Sequence, residues 1–257
     1  MCRLLGYSST TPTTFGQAVG KNFDQFVSLA KDHCDGWGIA TTDNHKAELY
    51  KEPVAATKSE HFKEKLEKHK SNAALLHLRW ATEGMPVNEN NTHPFTYQDI
   101  TFIHNGSITP PTALDPVIDK KYLSLAKGTT DSERYFLYLL TQIEKHGFID
   151  GVKAGLSYIK NNCTYSSINM MIINDTTFMA ACIYNQDKIP NKFKDSPDYY
   201  HLKYTTHNGQ VVVASSGWNQ DGWEAIPNGS VLAVDRVGQE AELENLKLIP
   251  NLSVSKF

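Results

Sequence analysis

The chain has 257 residues, 40% hydrophobic and 21% charged, with a formal net charge of -3. Such a composition suits a soluble globular protein of one large domain or two small ones, and the weak negative charge gives no electrostatic reason to expect nucleic acid or an anionic membrane as partner. No apolar run approaches the ~18–20 residues of a membrane span, and the N-terminus lacks the basic-then-apolar order of a secretory signal, so a cytoplasmic protein is expected.

The chain opens Met1-Cys2-Arg3-Leu4-Leu5-Gly6, and residues 3–9 read as a first strand. Loss of Met1 would put the thiol and the free α-amino group on one residue, Cys2. An amine with a pKa of about 7.7–8.0 is a competent base near neutral pH, so this pairing activates a cysteine without a histidine. The plainer alternative is a buried strand cysteine. A turn-rich stretch containing Pro12 follows, and then Phe23, Phe26, Val27 and Ala30 recur at helical spacing. In Cys34-Asp35-Gly36-Trp37-Gly38, two glycines flank a tryptophan ahead of an apolar run, which predicts a turn entering a strand.

Residues 47–51 predict a strand, and Thr57-x-x-Glu60 has the form of a capping box opening a helix that carries Phe62 and Leu66. A buried strand over 73–78 leads into Arg79-Trp80-Ala81-Thr82-Glu83-Gly84 and a polar loop ending Asn91-Thr92-His93-Pro94-Phe95. A short strand at 100–104 is expected to end at the turn dipeptide Asn105-Gly106. Thr130-Asp131-Ser132-Glu133 is a second capping box, opening a helix with Phe136, Leu139, Leu140 and Ile143 on one face and Gly147 as its stop. A further helix is expected over 150–161, then strands at 168–174 and 177–184 joined by the hairpin signal Asn174-Asp175-Thr176, and strands at 210–215 and 230–235.

Four stretches carry groups with complementary chemistry. Cys2 is a nucleophile, and Arg79 suits a carboxylate held by two parallel hydrogen bonds. Asp131, at a helix start, suits an ammonium. Asn105 with the backbone N–H of Gly106 has the composition of an oxyanion hole. A γ-glutamyl compound presents those features: an amino-acid head with both charges, and a scissile side-chain carbonyl. Read one by one, Arg79 also suits a surface ion pair, Asn105-Gly106 a hairpin turn and Asp131 a helix-start carboxylate. The four cysteines, Cys2, Cys34, Cys163 and Cys182, form no C-x-x-C pair, and His33, Cys34 and His93 match no zinc spacing. No metal or cofactor is expected.

Taken in order, M-C-R-L-L-G at 1–6, D-G-W-G-I at 35–39, H-L-R-W-A-T at 77–82, N-T-H-P-F at 91–95, H-N-G at 104–106 and T-D-S-E at 130–133 resemble the class II glutamine amidotransferases, members of the N-terminal-nucleophile (Ntn) hydrolases. The later strands with V-V-A-S-S-G-W at 212–218 look like that family's short stand-alone members, including the γ-glutamyl hydrolase of ergothioneine synthesis. The resemblance implies an α+β fold, a four-layer αββα sandwich of two mostly antiparallel sheets, in a single domain over 1–257. It implies Cys2 as nucleophile, Asn105 and Gly106 as oxyanion hole, and Arg79, Trp80, Thr82, Asp131 and His93 around the substrate. Large glucosamine-phosphate synthases continue the arginine motif with His-Gly, where this chain has Glu83-Gly84, so that histidine's role does not transfer. A chain ending at Phe257 is expected to lack an ammonia-using domain. The expected activity is hydrolysis of a γ-glutamyl amide. The alternatives are a glutaminase subunit serving a separate synthase partner and a non-catalytic γ-glutamyl-binding protein.

Overall fold

The structure is a computed structural model that describes residues 2–43, 46–238 and 240–246. The expected removal of Met1 lies outside the described residues. The strands are β1 (Arg3–Thr13), β2 (Trp37–Asp43), β3 (Lys46–Glu52), β4 (Ser71–Leu78), β5 (Phe95–Tyr97), β6 (Ile100–Thr109), β7 (Thr164–Ile173), β8 (Thr177–Cys182), β9 (Leu202–His207), β10 (Gln210–Ser215), β11 (Glu224–Ile226), β12 (Ser230–Asp235) and β13 (Glu240–Asn245). The helices are α1 (Phe15–Val19), α2 (Phe23–Ser28), α3 (Phe62–Lys68), α4 (Lys120–Leu123), α5 (Asp131–His146) and α6 (Phe148–Asn162).

The strands pair antiparallel into two sheets, ordered β11-β9-β10-β1-β4-β2-β3 and β13-β12-β8-β7-β6-β5. Strand alternation sorts their side chains into three apolar layers. On β1, Leu5 and Tyr7 face outward onto Phe15, Phe26, Phe62 and Leu66 of α1, α2 and α3. Leu4 faces inward, and with Leu75 and Val213 it meets Ile103, Met171 and Phe178 of the second sheet. The far face of that sheet, with Phe102, Met170 and Ile172, packs on Phe136, Leu139, Val152 and Leu156 of α5 and α6. The result is the expected αββα order of two antiparallel sheets between helices. No helix among the described residues is long and apolar enough to cross a membrane.

Local signals failed in several places. The stretch around Pro12 is strand, because β1 runs on to Thr13. Thr57-x-x-Glu60 makes no capping box: Ala56–Lys58 is a 3-10 turn, and Ser59 Oγ accepts the N–H groups of His61 and Phe62 at 3.2 and 3.1 Å instead. Asn105-Gly106 is not a turn. β6 passes straight through it, paired with β7 as Asn105↔Asn169 and Gly106↔Ile168, with the register shifting between Gly106 and Ile108. Sheet pairing on a buried strand overrides the dipeptide's turn preference.

Gly38, on β2, lets two segments meet. A Cβ there would sit 2.2 Å from the carbonyl oxygen of His93 and 2.7 Å from Pro94. The contact is with backbone, so no side-chain rotation relieves it. Gly38→Ala is expected to destabilise the protein by about 1–3 kcal/mol, the ordinary cost of overpacking. In urea unfolding the midpoint should fall with an unchanged slope, and a midpoint equal to the parent's would contradict the close approach.

Candidate active site

β1 lies between β4 and β10, and its register with β4 pairs Arg3 with Leu78. Because the pairing is antiparallel, the residue before Arg3 and those after Leu78 emerge at the same end of the sheet. Cys2 is thereby set beside Arg79 and Trp80. The facing sheet supplies Asn105 from β6, where alternation sends Ile103 to the layer between the sheets and Asn105 to the same side.

Cys2 is 8% exposed; its nitrogen donates to Asn105 Oδ1 at 2.8 Å, and its Sγ lies 3.7 Å from the carbonyl oxygen of Trp80. Since an N–H only donates, that bond fixes which end of the Asn105 amide faces Cys2. The other end, Nδ2, is buried with no partner among the described residues. Burial pushes the Cys2 thiol up, and a hydrogen bond with the Trp80 backbone and the Arg79 guanidinium are among the influences that pull it back. Gly106 is held at φ +149°, and a Cβ there would lie 1.9 Å from Ser167 O, so only glycine passes at this point.

Cys2, Arg79, Trp80, Thr82, Gly106 and Asp131 all line one cleft, together with His104, Thr130 and Ser132. Arg79 is 3% exposed, and its guanidinium donates to two backbone carbonyls, Asp35 O and Pro86 O, each at 3.2 Å. It has no carboxylate partner among the described residues. A buried cation satisfied only by neutral acceptors is poised to take an anion. Asp131 opens α5 and accepts the Ile108 N–H at 2.7 Å, just past the β6 irregularity. Burial pushes its carboxyl up, and His104 opposes the shift.

The helix start that holds Asp131 is only half the expected capping box. Thr130 Oγ1 accepts the Glu133 N–H at 3.2 Å, but the Glu133 carboxylate turns back to the N–H groups of Lys127 and Gly128, both at 2.8 Å. The loop carrying Arg79 is pinned by Asp35, a role that reading the sequence did not assign. Asp35 Oδ2 accepts the Ala81 N–H at 2.8 Å, while Asp35 N donates to Arg79 O at 2.9 Å. Its signal in the sequence is the carboxylate of D-G-W-G, one residue ahead of Gly36.

His93 is not among the cleft-lining residues. Its ring stacks on His77 at 4.1 Å and meets Phe95 at 4.7 Å, with both ring nitrogens buried and without a partner among the described residues. His104 reaches the cleft: Nε2 donates to Ser167 O at 3.1 Å, which leaves Nδ1 to accept from Ser132 Oγ at 2.9 Å. His33 stacks on Phe193 and points Nδ1 at Leu29 O. The four cysteines are all free.

A family model described as "Glutamine amidotransferases class-II" matches residues 1–249. An uncharacterised protein of Methanocaldococcus jannaschii is 26% identical over 253 residues, covering 90% of this chain and 68% of its own. A probable glutamine amidotransferase of Saccharomyces cerevisiae, DUG3, is 23% identical over 294 residues, covering 92% of this chain and 82% of its own. Among solved structures, a glutamine aminotransferase class-II domain protein from Silicibacter pomeroyi superposes with a TM-score of 0.68 at 19% identity, over 95% of this chain and 99% of its own. At that identity the superposition speaks for the fold.

The buried histidines make a pH prediction. Burial, first among the causes, holds His77 and His93 well below the usual imidazole value of 6.5, lowers His104 and pushes His33 down to about 3. Below about pH 6.5 the unfolded chain takes up protons that these folded histidines refuse. Stability is therefore fully present above that pH and is lost as the pH falls toward the folded values. Asp131, with its carboxyl pushed up, works the other way and offsets part of the loss. Each histidine contributes up to roughly 1.4 kcal/mol between pH 7.5 and 5.5. Urea unfolding at those two pH values should give a clearly lower stability at 5.5; equal values would mean the histidines are not buried neutral.

Proposed function

The chain belongs to the class II glutamine amidotransferases, and from that premise we propose that it hydrolyses a γ-glutamyl amide bond with Cys2 as the nucleophile. The observation that carries this reading is the single side chain of Asn105, which holds the nitrogen of Cys2 with one end and keeps a buried, unmet donor at the other. A buried donor without a partner is costly. An oxygen that gains negative charge beside the thiol satisfies it, and only as the reaction proceeds.

With Met1 removed, the α-amino group of Cys2 takes the thiol proton and the sulfur attacks the γ-carbonyl carbon. The C–O π electrons move to oxygen, where Asn105 Nδ2 and the Gly106 N–H stabilise them. The C–N bond then breaks, and the departing amine leaves with the proton the amino group returns. Water attacks the resulting thioester, the C–S bond breaks, and glutamate departs as the thiol regains its proton. Burial that pushes the thiol up makes this base necessary, because little thiolate forms unaided near neutral pH.

The substrate head is set by charge. Arg79 takes the α-carboxylate, replacing no existing ion pair, and Asp131 takes the α-ammonium. Both groups are buried beforehand, so part of the desolvation cost of the pairing is met in folding. Thr82 and Trp80 line the same cleft, Thr82 at its exposed margin, and Trp80 forms the wall next to Cys2.

Three measurements test the proposal. An electrophilic glutamine analogue should label the peptide beginning at Cys2, with Met1 absent; label on Cys34, Cys163 or Cys182 instead would overturn the nucleophile. Asn105→Ala should lower kcat by roughly 10²–10³-fold. Asn105→Asp keeps an acceptor for the Cys2 nitrogen and loses the donor, so an Asp variant as active as the parent would remove the oxyanion role. Arg79→Ala and Asp131→Ala should weaken glutamate binding with some loss of kcat, since a loose head misplaces the carbonyl; unchanged affinity in both would contradict the clamp.

A further inference from the structure

The connection from β8 to β9 makes two 3-10 turns, Gln186–Lys188 and Asn191–Phe193, and crosses beside the nucleophile. Its contacts reach Cys2 from two directions. From one, the Arg3 guanidinium lies 4.1 Å over the Tyr199 ring, and Arg3 Nη1 donates to Tyr199 O at 2.8 Å. Arg3 is the chain neighbour of Cys2. From the other, the Phe193 ring meets the Trp80 ring edge-on at 5.2 Å, and Trp80 O is the group that faces Cys2 Sγ. Phe193 joins the two arms, stacking on Tyr199 at 4.4 Å with 19° between the rings. The bracket therefore runs Arg3, Tyr199, Phe193, Trp80, and Cys2 lies between its ends.

We infer that Phe193 is a positioning residue for Cys2, acting through Trp80 and Tyr199. The inference rests on Cys2 being the working nucleophile. Phe193 sits on a half-exposed turn, while Tyr199 is fully buried. The bracket is thus anchored at Tyr199 and closed from outside by Phe193. Lys192, beside it, forms an ion pair with Asp32 at 3.0 Å and lies 5.3 Å over the Trp80 ring, which helps hold the turn down. Both Lys192 and Asp32 are largely exposed, so the closure depends chiefly on the Phe193 ring. Of the residues that line the cleft, the Phe193 ring touches Trp80, at the nucleophile's end. Arg79 and Asp131, at the head-binding end, have their own hydrogen bonds to Asp35, Pro86 and Ile108.

Two effects of opposite sign follow from loosening it. A freed Trp80 no longer fixes the thiol against the carbonyl to be attacked, so turnover falls. The same opening uncovers Cys2, so a small alkylating reagent reaches it sooner. The test uses the full chain with Phe193→Leu, which keeps apolar bulk without a ring face, and Phe193→Tyr, which restores the ring. In Phe193→Leu, kcat per titrated site should fall about tenfold while KM for a γ-glutamyl substrate stays within about twofold. Iodoacetamide labelling of Cys2, counted by peptide mass against Cys163 at the end of α6, should rise about fivefold. Phe193→Tyr should return both to parental values. Parental turnover and parental Cys2 labelling in Phe193→Leu would overturn the inference. So would a rise in Cys163 labelling equal to that of Cys2, which marks general loosening. A parent that hydrolyses no γ-glutamyl amide defeats the proposed reaction, and the labelling ratio still decides the bracket.

Discussion

At the site the nitrogen of Cys2, just ahead of the first sheet's β1, donates across to Asn105 Oδ1 of the second sheet at 2.8 Å. This bond holds only if β1 and β6 keep their spacing and their register, and several residues serve that end. Gly6 admits Leu75, Met171 and Phe178 to within 2.8–3.1 Å of where a Cβ would stand, so the sheets close tightly just behind Cys2. Gly106 lets β6 pass the backbone of Ser167. The register shift that follows brings the Ile108 N–H onto Asp131. Cys2, Asn105 and Asp131 are thus coupled through backbone geometry rather than through a chain of side chains.

Charge is handled at the site by burial with minimal pairing. Arg79 is satisfied by carbonyls, Asp131 by a backbone N–H, and the histidines behind them are kept neutral by desolvation. Ion pairs among these groups would satisfy the cleft in the absence of substrate. Neutral acceptors and donors leave the charges supported but unspent, which suits a ligand that brings one charge of each sign. The arrangement costs stability, and the three apolar layers on either side of and between the sheets offset that cost.

The two segments that place Arg79 and Asp131 are stitched to each other as well. Asn91 donates to Pro86 O at 3.1 Å and to Thr129 Oγ1 at 3.2 Å, and accepts the Thr129 N–H at 2.8 Å. Pro86 O is also a partner of Arg79. Gly128 lies so close to this asparagine that a Cβ would come within 2.4 Å of its Oδ1. The N-T-H-P-F stretch therefore serves the site through Asn91, while His93, two residues further on, packs against His77.

Residue order alone made much of this legible. Alternating and helical apolar patterns placed β1, β4, β7, β8, β10, β12, α5 and α6 close to where they lie, because burial on one face leaves a period in the sequence. Motif chemistry singled out Cys2, Arg79, Gly106 and Asp131, which line one cleft, and Asn105, which bonds to Cys2, because thiol, cation, amide and carboxylate are residue types. What residue order could not decide was set by partners distant in the chain. Asn105-Gly106 has the local preference of a turn and becomes strand, because β7 pairs with it. Thr57 and Glu60 have the form of a cap and make none, because Ser59 takes the helix N–H groups. His93 and Asp35 exchange expected importance, since only the packed structure shows which side chain reaches the arginine loop. A sequence records the chemistry and the period of each segment; which donor finds which acceptor across 103 residues, as Cys2 finds Asn105, is settled only when the sheets close on each other.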